Sequence, residues 1–281
     1  MKTRIDCLPC FLRQTVIALR LYGGDESTHQ QVFRDVLAIM QHADMSRPPA
    51  YTTTCIHRTI RKGVACDPFE KIKKEFNTKA LSLYPGLRDR VKGSPDPIWT
   101  ASRLAIAGNI IDFGIFTSID IDRSITQSLR ASIAVDDYPS FREDLRETDE
   151  ILYLLDNAGE VVFDKLLIEV LSEAGKRVTA VVKGSAVLND VTRDDAVQVG
   201  LDSVCEVIDN GSDAIGTILP WTSPAFRERF ERAALIISKG QGNFETLFGT
   251  EKRAYFLFQS KCDVISQELG LSSCSMLLKK S

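Results

Sequence analysis

From Ile151 onward the chain alternates short apolar runs with amphipathic stretches, and no other feature of the sequence constrains the fold as strongly. ILYLL (151–155), RVTAVV (177–182), VCEVI (204–208), ALIIS (234–238) and AYFLF (254–258) read as buried strands. Between the first two, Phe163, Leu166, Leu167, Val170 and Leu171 fall on one helical face, and Gly175 stands where a helix C-terminal glycine is expected. Ser223 followed by Pro224 reads as an N-cap with proline at the first helical position. Strands separated by helices of this length form βαβ units, so the expectation is an α/β fold with five parallel strands.

The first 95 residues read differently. Apolar residues recur at helical spacing, as in Phe11, Thr15, Ala18, Leu19 and again in Val32, Val36, Leu37, Met40, and strand-like alternation is absent. Pro85, Gly86, Gly93, Pro95 and Pro97 then punctuate the chain. The expected division is a helical region over 1–95 and an α/β region over 96–281. With 281 residues, 44% hydrophobic and 26% charged, the chain has enough apolar surface to exclude disorder and fibre. Its 35 basic and 38 acidic residues leave no excess of positive charge for a nucleic-acid partner. No apolar run approaches the roughly 18 residues that cross a bilayer, and charge and cysteine interrupt MKTRIDCLPC as a signal peptide. The expectation is a cytoplasmic protein with no membrane partner. Seven cysteines, an odd number in a chain that needs no staples, point to reduced thiols or a metal site.

In an open α/β sheet, ligands bind beyond the carboxyl ends of the strands. Here those ends carry Asp156-Asn157-Ala158-Gly159-Glu160, Lys183-Gly184-Ser185 leading to Asn189-Asp190, Asp209-Asn210-Gly211, and Lys239-Gly240-Gln241-Gly242-Asn243. Glycine beside carboxylate, amide and ammonium groups builds a polar crevice with free backbone N–H groups. Asp156, Asn157 and Asp190 on adjacent strand ends supply three hard oxygen ligands suited to magnesium or manganese. Singly, each motif also reads as a helix cap; the metal reading rests on their joint placement. Lys239, between residues that let a backbone approach closely, reads as a phosphate contact. No Walker loop occurs, and Gly240 and Gly242 lack the third glycine of a dinucleotide fingerprint. Asn109 and Asp112, three apart in LAIAGNIIDFGIF, share a helical face and either line a wet site or bond internally. Cys7 and Cys10 have the spacing of half a zinc knuckle or a redox pair, but no second pair exists, and buried free thiols are the default. Because they precede the α/β region, they are expected to lie outside the chemistry.

Taken in order, CLPC (7–10), GNIIDFG (108–114), LLDNAGE (154–160), LNDVT (188–192) and SKGQGNFE (238–245) make the chain resemble the ARMT-like damage-control phosphatases. It is most similar to their stand-alone prokaryotic branch with paired N-terminal cysteines. The resemblance implies a helical N-terminal region packed on a Rossmann-like, mostly parallel sheet, with a divalent metal (manganese, magnesium, cobalt or nickel) at its carboxyl edge. It implies metal ligation by Asp156, Asn157 and Asp190, a phosphate contact from Lys239, and Asn109 and Asp112 lining the same cleft. The chain departs at KGSAVLND, where relatives often carry arginine and Gly-Pro in place of Lys183, Ser185 and Ala186.

These readings combine into a metal-dependent phosphatase acting on phosphomonoesters of small metabolites, sugar phosphates or damaged ones. Asp156 and Lys239 are the expected catalytic residues. Asn109, Asp112, Gly159, Glu160, Lys183, Ser185, Gly240 and Asn243 are the expected substrate contacts. Two alternatives stand beside it: a nucleotide-binding carboxyl methyltransferase, for which DNAGE is a poor glycine-rich loop, and a non-catalytic metabolite or redox sensor built on the cysteines.

Overall fold

The structure, a computed structural model, describes residues 1–110 and 121–281. Five helices come first: α1 (Cys7–Tyr22), α2 (Glu26–Gln41), α3 (Pro49–Val64), α4 (Glu70–Lys92) and α5 (Pro97–Ile110). There follow α6 (Ile121–Arg130), β1 (Ile133–Asp136), α7 (Tyr138–Glu147), β2 (Glu150–Leu154), α8 (Glu160–Glu173), β3 (Arg177–Val182), α9 (Arg193–Gln198) and β4 (Glu206–Asp209). The chain ends with α10 (Pro224–Arg232), β5 (Leu235–Lys239), α11 (Gln241–Leu247), β6 (Ala254–Gln259), α12 (Asp263–Glu268) and β7 (Met276–Lys280).

The strands form one sheet in the order β1-β7-β6-β5-β2-β3-β4. The five expected strands are β2 to β6, and all pair in parallel. VCEVI is displaced: the strand starts only at Glu206, because the Val204 and Cys205 amides donate back to Leu201 O and close a turn. Two strands lie beyond the expectation. β7 joins β6 antiparallel and β1 pairs parallel with β7, extending the sheet at one edge. Their signal is weak because β1 is four residues long with a half-exposed pattern and β7 ends in two lysines.

Side chains alternate across the sheet, and both faces are covered. Ile151, Tyr153, Val178, Ala180, Leu235, Ile237, Tyr255 and Leu257 face a core shared with α4, α5 and α8. Leu152, Leu154, Val181, Ile236, Phe256 and Phe258 face the opposite core, with Phe226 and Phe230 of α10 and Phe244 of α11. Continuous burial on two faces is why these strands appear as unbroken apolar runs. A third core joins α1, α2 and α3 through Phe11, Leu19, Val32, Val36, Ile56 and Ile60. Helix α4 runs through Pro85 and Gly86 without ending, and its Phe76, Ala80, Leu87 and Val91 belong to the core of the sheet. The expected caps are present. Ser223 Oγ accepts from the Phe226 N–H at 3.1 Å ahead of Pro224, and Gly175 follows α8 with φ of 82°. Among the described residues no helix is long and apolar enough to cross a membrane.

Candidate active site

Polar residues gather at the carboxyl ends of β2, β3, β5 and β6, the edge that sheet topology reserves for ligands. Asp156 follows β2 and is locked to the loop after β3: its carbonyl accepts from the Val191 N–H at 2.8 Å, the Ala158 N–H donates to Asn189 O at 2.8 Å, and Asn157 bridges Asp190. The two loops are thus one backbone-fastened unit. This brings Asp156, Asn157 and Asp190 together, although they come from two separate local motifs.

The Asp156 carboxylate accepts from Asn157 Nδ2 at 2.5 Å and from Asn109 Nδ2 at 3.3 Å. Asn109, on the last turn of α5, also donates to Glu160 Oε2 at 2.8 Å, so it clamps two carboxylates of neighbouring elements. Gly240 makes this approach possible. With φ of 79°, it places its Cα where an added Cβ would lie 1.9 Å from Asp156 Oδ2, so only glycine fits. Burial pushes the Asp156 carboxyl well above its usual range, and the nearby Glu160 and Asp190 push it further. Burial also raises Asp190, against the opposing pull of Lys183. Asp190 Oδ2 makes no hydrogen bond, with Lys183 Nζ 3.4 Å away.

Lys239 ends β5 and turns inward. Its ammonium is fully buried and donates to Glu160 Oε1 at 2.8 Å, Asp164 Oδ1 at 2.5 Å and Ala105 O at 2.8 Å. Burial opposes its charge, but Asp164 and Glu160 outweigh burial and hold the ammonium above its usual range. Tyr153 completes the knot by donating to Asp164 at 2.8 Å. All three lysine donors are therefore engaged, and the group fixes Glu160 from below. Asn243 plays a similar bracing part: it donates to Lys239 O at 2.8 Å and accepts from Thr217 Oγ1 at 2.8 Å. Gly159, with φ of 78°, opens α8 so that Glu160 occupies its first turn.

A cavity of about 320 Å³ opens over this unit, with Asn109, Asp156 and Asn157 on its wall. Gln241, Gly242 and Glu245 of α11 and Lys261 after β6 also line it. So do Cys7 and Cys10 of α1 and Cys262, so the paired cysteines, although they precede the α/β region in the chain, stand on the wall of this cavity. α1 reaches the sheet edge because its core is continued by Val264 of α12, an effect of packing that spacing along the chain does not encode. Lys183 and Ser185 line a different cavity, of about 730 Å³, together with Lys73 and Asp195, although Lys183 Nζ still reaches Asp190 Oδ2 of the unit at 3.4 Å. Lys183 instead donates to Gly216 O. Asp112 lies outside the described residues.

Lys261, Glu245 and Gln241 were not among the expected contacts. Glu245 and Gln241 stand inside SKGQGNFE, four residues apart on one helical face. Lys261 follows the fifth apolar run in QSKC, so the same strand-end rule would have found it. The cluster suits a hard divalent cation. Two carboxylates and an amide converge, burial raises both carboxyls, and one buried oxygen lacks a hydrogen bond. Among the described residues no group of three or more His, Cys, Asp or Glu side chains has metal-holding geometry. A set of two carboxylates and one amide agrees with cations that retain water rather than ones held in an all-protein cage.

Known proteins extend the comparison. The family model for the damage-control phosphatase ARMT1-like domain matches residues 3–277. The chain is 31% identical over 286 residues to a damage-control phosphatase of Archaeoglobus fulgidus, covering 99% of each. It is 30% identical over 288 residues to the damage-control phosphatase PH1575 of Pyrococcus horikoshii, covering 100% of this chain and 99% of that one. The crystal structure of that DUF89 family protein superposes with a TM-score of 0.90 at 28% identity, covering 100% of this chain and 99% of the other.

Proposed function

This chain belongs to the damage-control phosphatase ARMT1-like domain family, and from that membership we propose that it is a divalent-metal-dependent phosphomonoesterase of small metabolites, working in the cavity over Asp156. The observation that carries the reading is the Asp156–Asn157–Asp190 unit, in which two buried carboxyls converge and one of them, Asp190, keeps an oxygen that makes no hydrogen bond and faces Lys183 at 3.4 Å. Asp156, Asn157 and Asp190 would hold the metal, with magnesium, manganese, cobalt and nickel as candidates. Such a cation supplies Lewis-acid polarisation of the phosphoryl oxygens.

The chain's own residues divide the remaining work. Lys261, exposed at the cavity wall, meets the phosphoryl group as a point charge. Asn109 holds Asp156 and Glu160 apart at a set distance, and the buried Lys239 keeps Glu160 in place. Asp156 already accepts from two amides, which suits a fixed ligand rather than an attacking group, so water is the nucleophile. A cavity of about 320 Å³ matches a phosphorylated small molecule. The free state of all seven cysteines suits a reducing compartment, the cytoplasm.

The test is hydrolysis of p-nitrophenyl phosphate and of small sugar phosphates by protein stripped of metal and then resupplied with each candidate cation. Turnover should require the cation and should vanish together with bound metal in Asp156→Ala. Full turnover by chelator-treated, metal-free protein would sink the reading.

A further inference from the structure

Among the described residues, Glu245 is the one carboxyl on the cavity wall that neither the metal unit nor the Lys239 knot uses. It sits on α11, which begins at the glycine pressed against Asp156, and it shares with Gln241 the helical face that lines the cavity. Its side chain is buried to 9% exposure and is held by neutral donors, Gln241 Nε2 at 3.0 Å and the Ala50 N–H at the start of α3. The groups around it are the Met1 ammonium, the thiols of Cys7 and Cys10 on α1, and Lys261 and Cys262 after β6. Burial raises both α1 thiols, so they are neutral neighbours.

Resting on the phosphomonoesterase reading, we propose that Glu245 is the general acid that protonates the leaving-group oxygen, which adapts the site to esters of aliphatic alcohols such as sugar phosphates. As the oxygen of water bonds to phosphorus and the bridging P–O bond breaks, the Glu245 carboxyl proton passes to the departing oxygen. The products are a neutral alcohol and inorganic phosphate, and the second proton of the attacking water restores the carboxyl through solvent. An alkoxide is a poor leaving group and needs this proton, whereas p-nitrophenolate leaves without it. Supporting this, burial pushes the carboxyl up to about 7, so that it carries a proton near neutral pH.

The experiment compares wild type and Glu245→Gln, in the presence of the activating metal, on an alkyl or sugar phosphate and on p-nitrophenyl phosphate. The variant should lose about 10²-fold or more in kcat on the alkyl ester and stay within about threefold of wild type on the nitrophenyl ester. Equal losses on both substrates, or no loss on either, would overturn the assignment. If the variant fails to fold, the wild-type protein decides. Its rates across aryl and alkyl phosphates should depend only weakly on leaving-group pKa, and a steep dependence would overturn the proposal. Absence of metal-dependent wild-type turnover on every ester would instead be a failure of the underlying phosphatase reading.

Discussion

Lys239 ends β5 and Lys261 follows the neighbouring parallel strand β6, yet they occupy opposite electrostatic situations. Lys239 is fully buried, with its three donors taken by Glu160, Asp164 and a backbone carbonyl. Lys261 is exposed at the cavity wall, where it lowers the Asp156 carboxyl against the stronger effects of burial and of Glu160. The difference teaches that a lysine at a strand end is a ligand contact only when the layer below has not claimed it. Here two carboxylates on successive turns of α8 claim Lys239 and leave the open side of the edge to Lys261.

The largest effect that bears on this contrast belongs to neither lysine. Asp156→Ala and Asp190→Ala should each cut turnover by about 10³-fold or more while the fold persists, because they remove the anchor of the developing charge. Metal content measured beside kcat/KM checks this, and metal retained at wild-type level would break the shared-unit picture. Next comes Lys239→Met, which leaves Glu160 and Asp164 unpaired in the interior and should cost about 3–5 kcal/mol of stability. Urea unfolding reads it, and wild-type stability would show that the buried knot is not what sets the two lysines apart.

Lys261→Ala should leave unfolding unchanged and lower kcat/KM by about 10–100-fold, chiefly through KM, as a lost phosphate contact does. A loss of stability with normal kinetics would reverse the roles assigned to the two lysines. A stability effect of about 3 kcal/mol should appear on titration. Glu245 rises from 4.5 to about 7 on folding, so between those values the unfolded chain has released a proton that the folded one keeps. Stability should therefore fall as pH rises through that window, and Glu245→Gln should flatten the fall. The smallest effect is expected of Cys7→Ser and Cys10→Ser. Both thiols are neutral wall groups, and replacing sulfur by oxygen should change turnover within about threefold; complete loss would make them part of the chemistry.

Much of the site was legible because strand ends are legible. Asp156, Asn157, Asp190, Lys239 and Gly240 were placed at the edge by nothing more than the ends of apolar runs, and the structure puts each of them there. Lys239 illustrates the limit. Its sequence context, between a buried strand and a glycine, is the same whether the ammonium points at substrate or into the interior. The choice depends on Glu160 and Asp164, separated from it by about 75 residues or more. Lys183 and Ser185 show the same limit from the other side, since both line a different cavity even though Lys183 pairs with Asp190. β1 and β7 were missed because short edge strands bury only one side of a few residues and leave no long apolar run.

The sequence by itself determined the five parallel strands, the helices between them and the polar loops at the strand ends, because periodicity and strand-end residues are local properties of the chain. Only the tertiary structure decided which of those loops share a cavity. It took packing of α1 with α2, α3 and Val264 of α12 to bring Cys7 and Cys10 to the cavity that Asn157 also lines, and the reach of Glu160 and Asp164 of α8 to withdraw Lys239 from solvent. Contacts of that kind join segments far apart in the chain, and burial on folding, which sets the charge state of Asp156 and Glu245, follows from them rather than from any residue's neighbours in sequence.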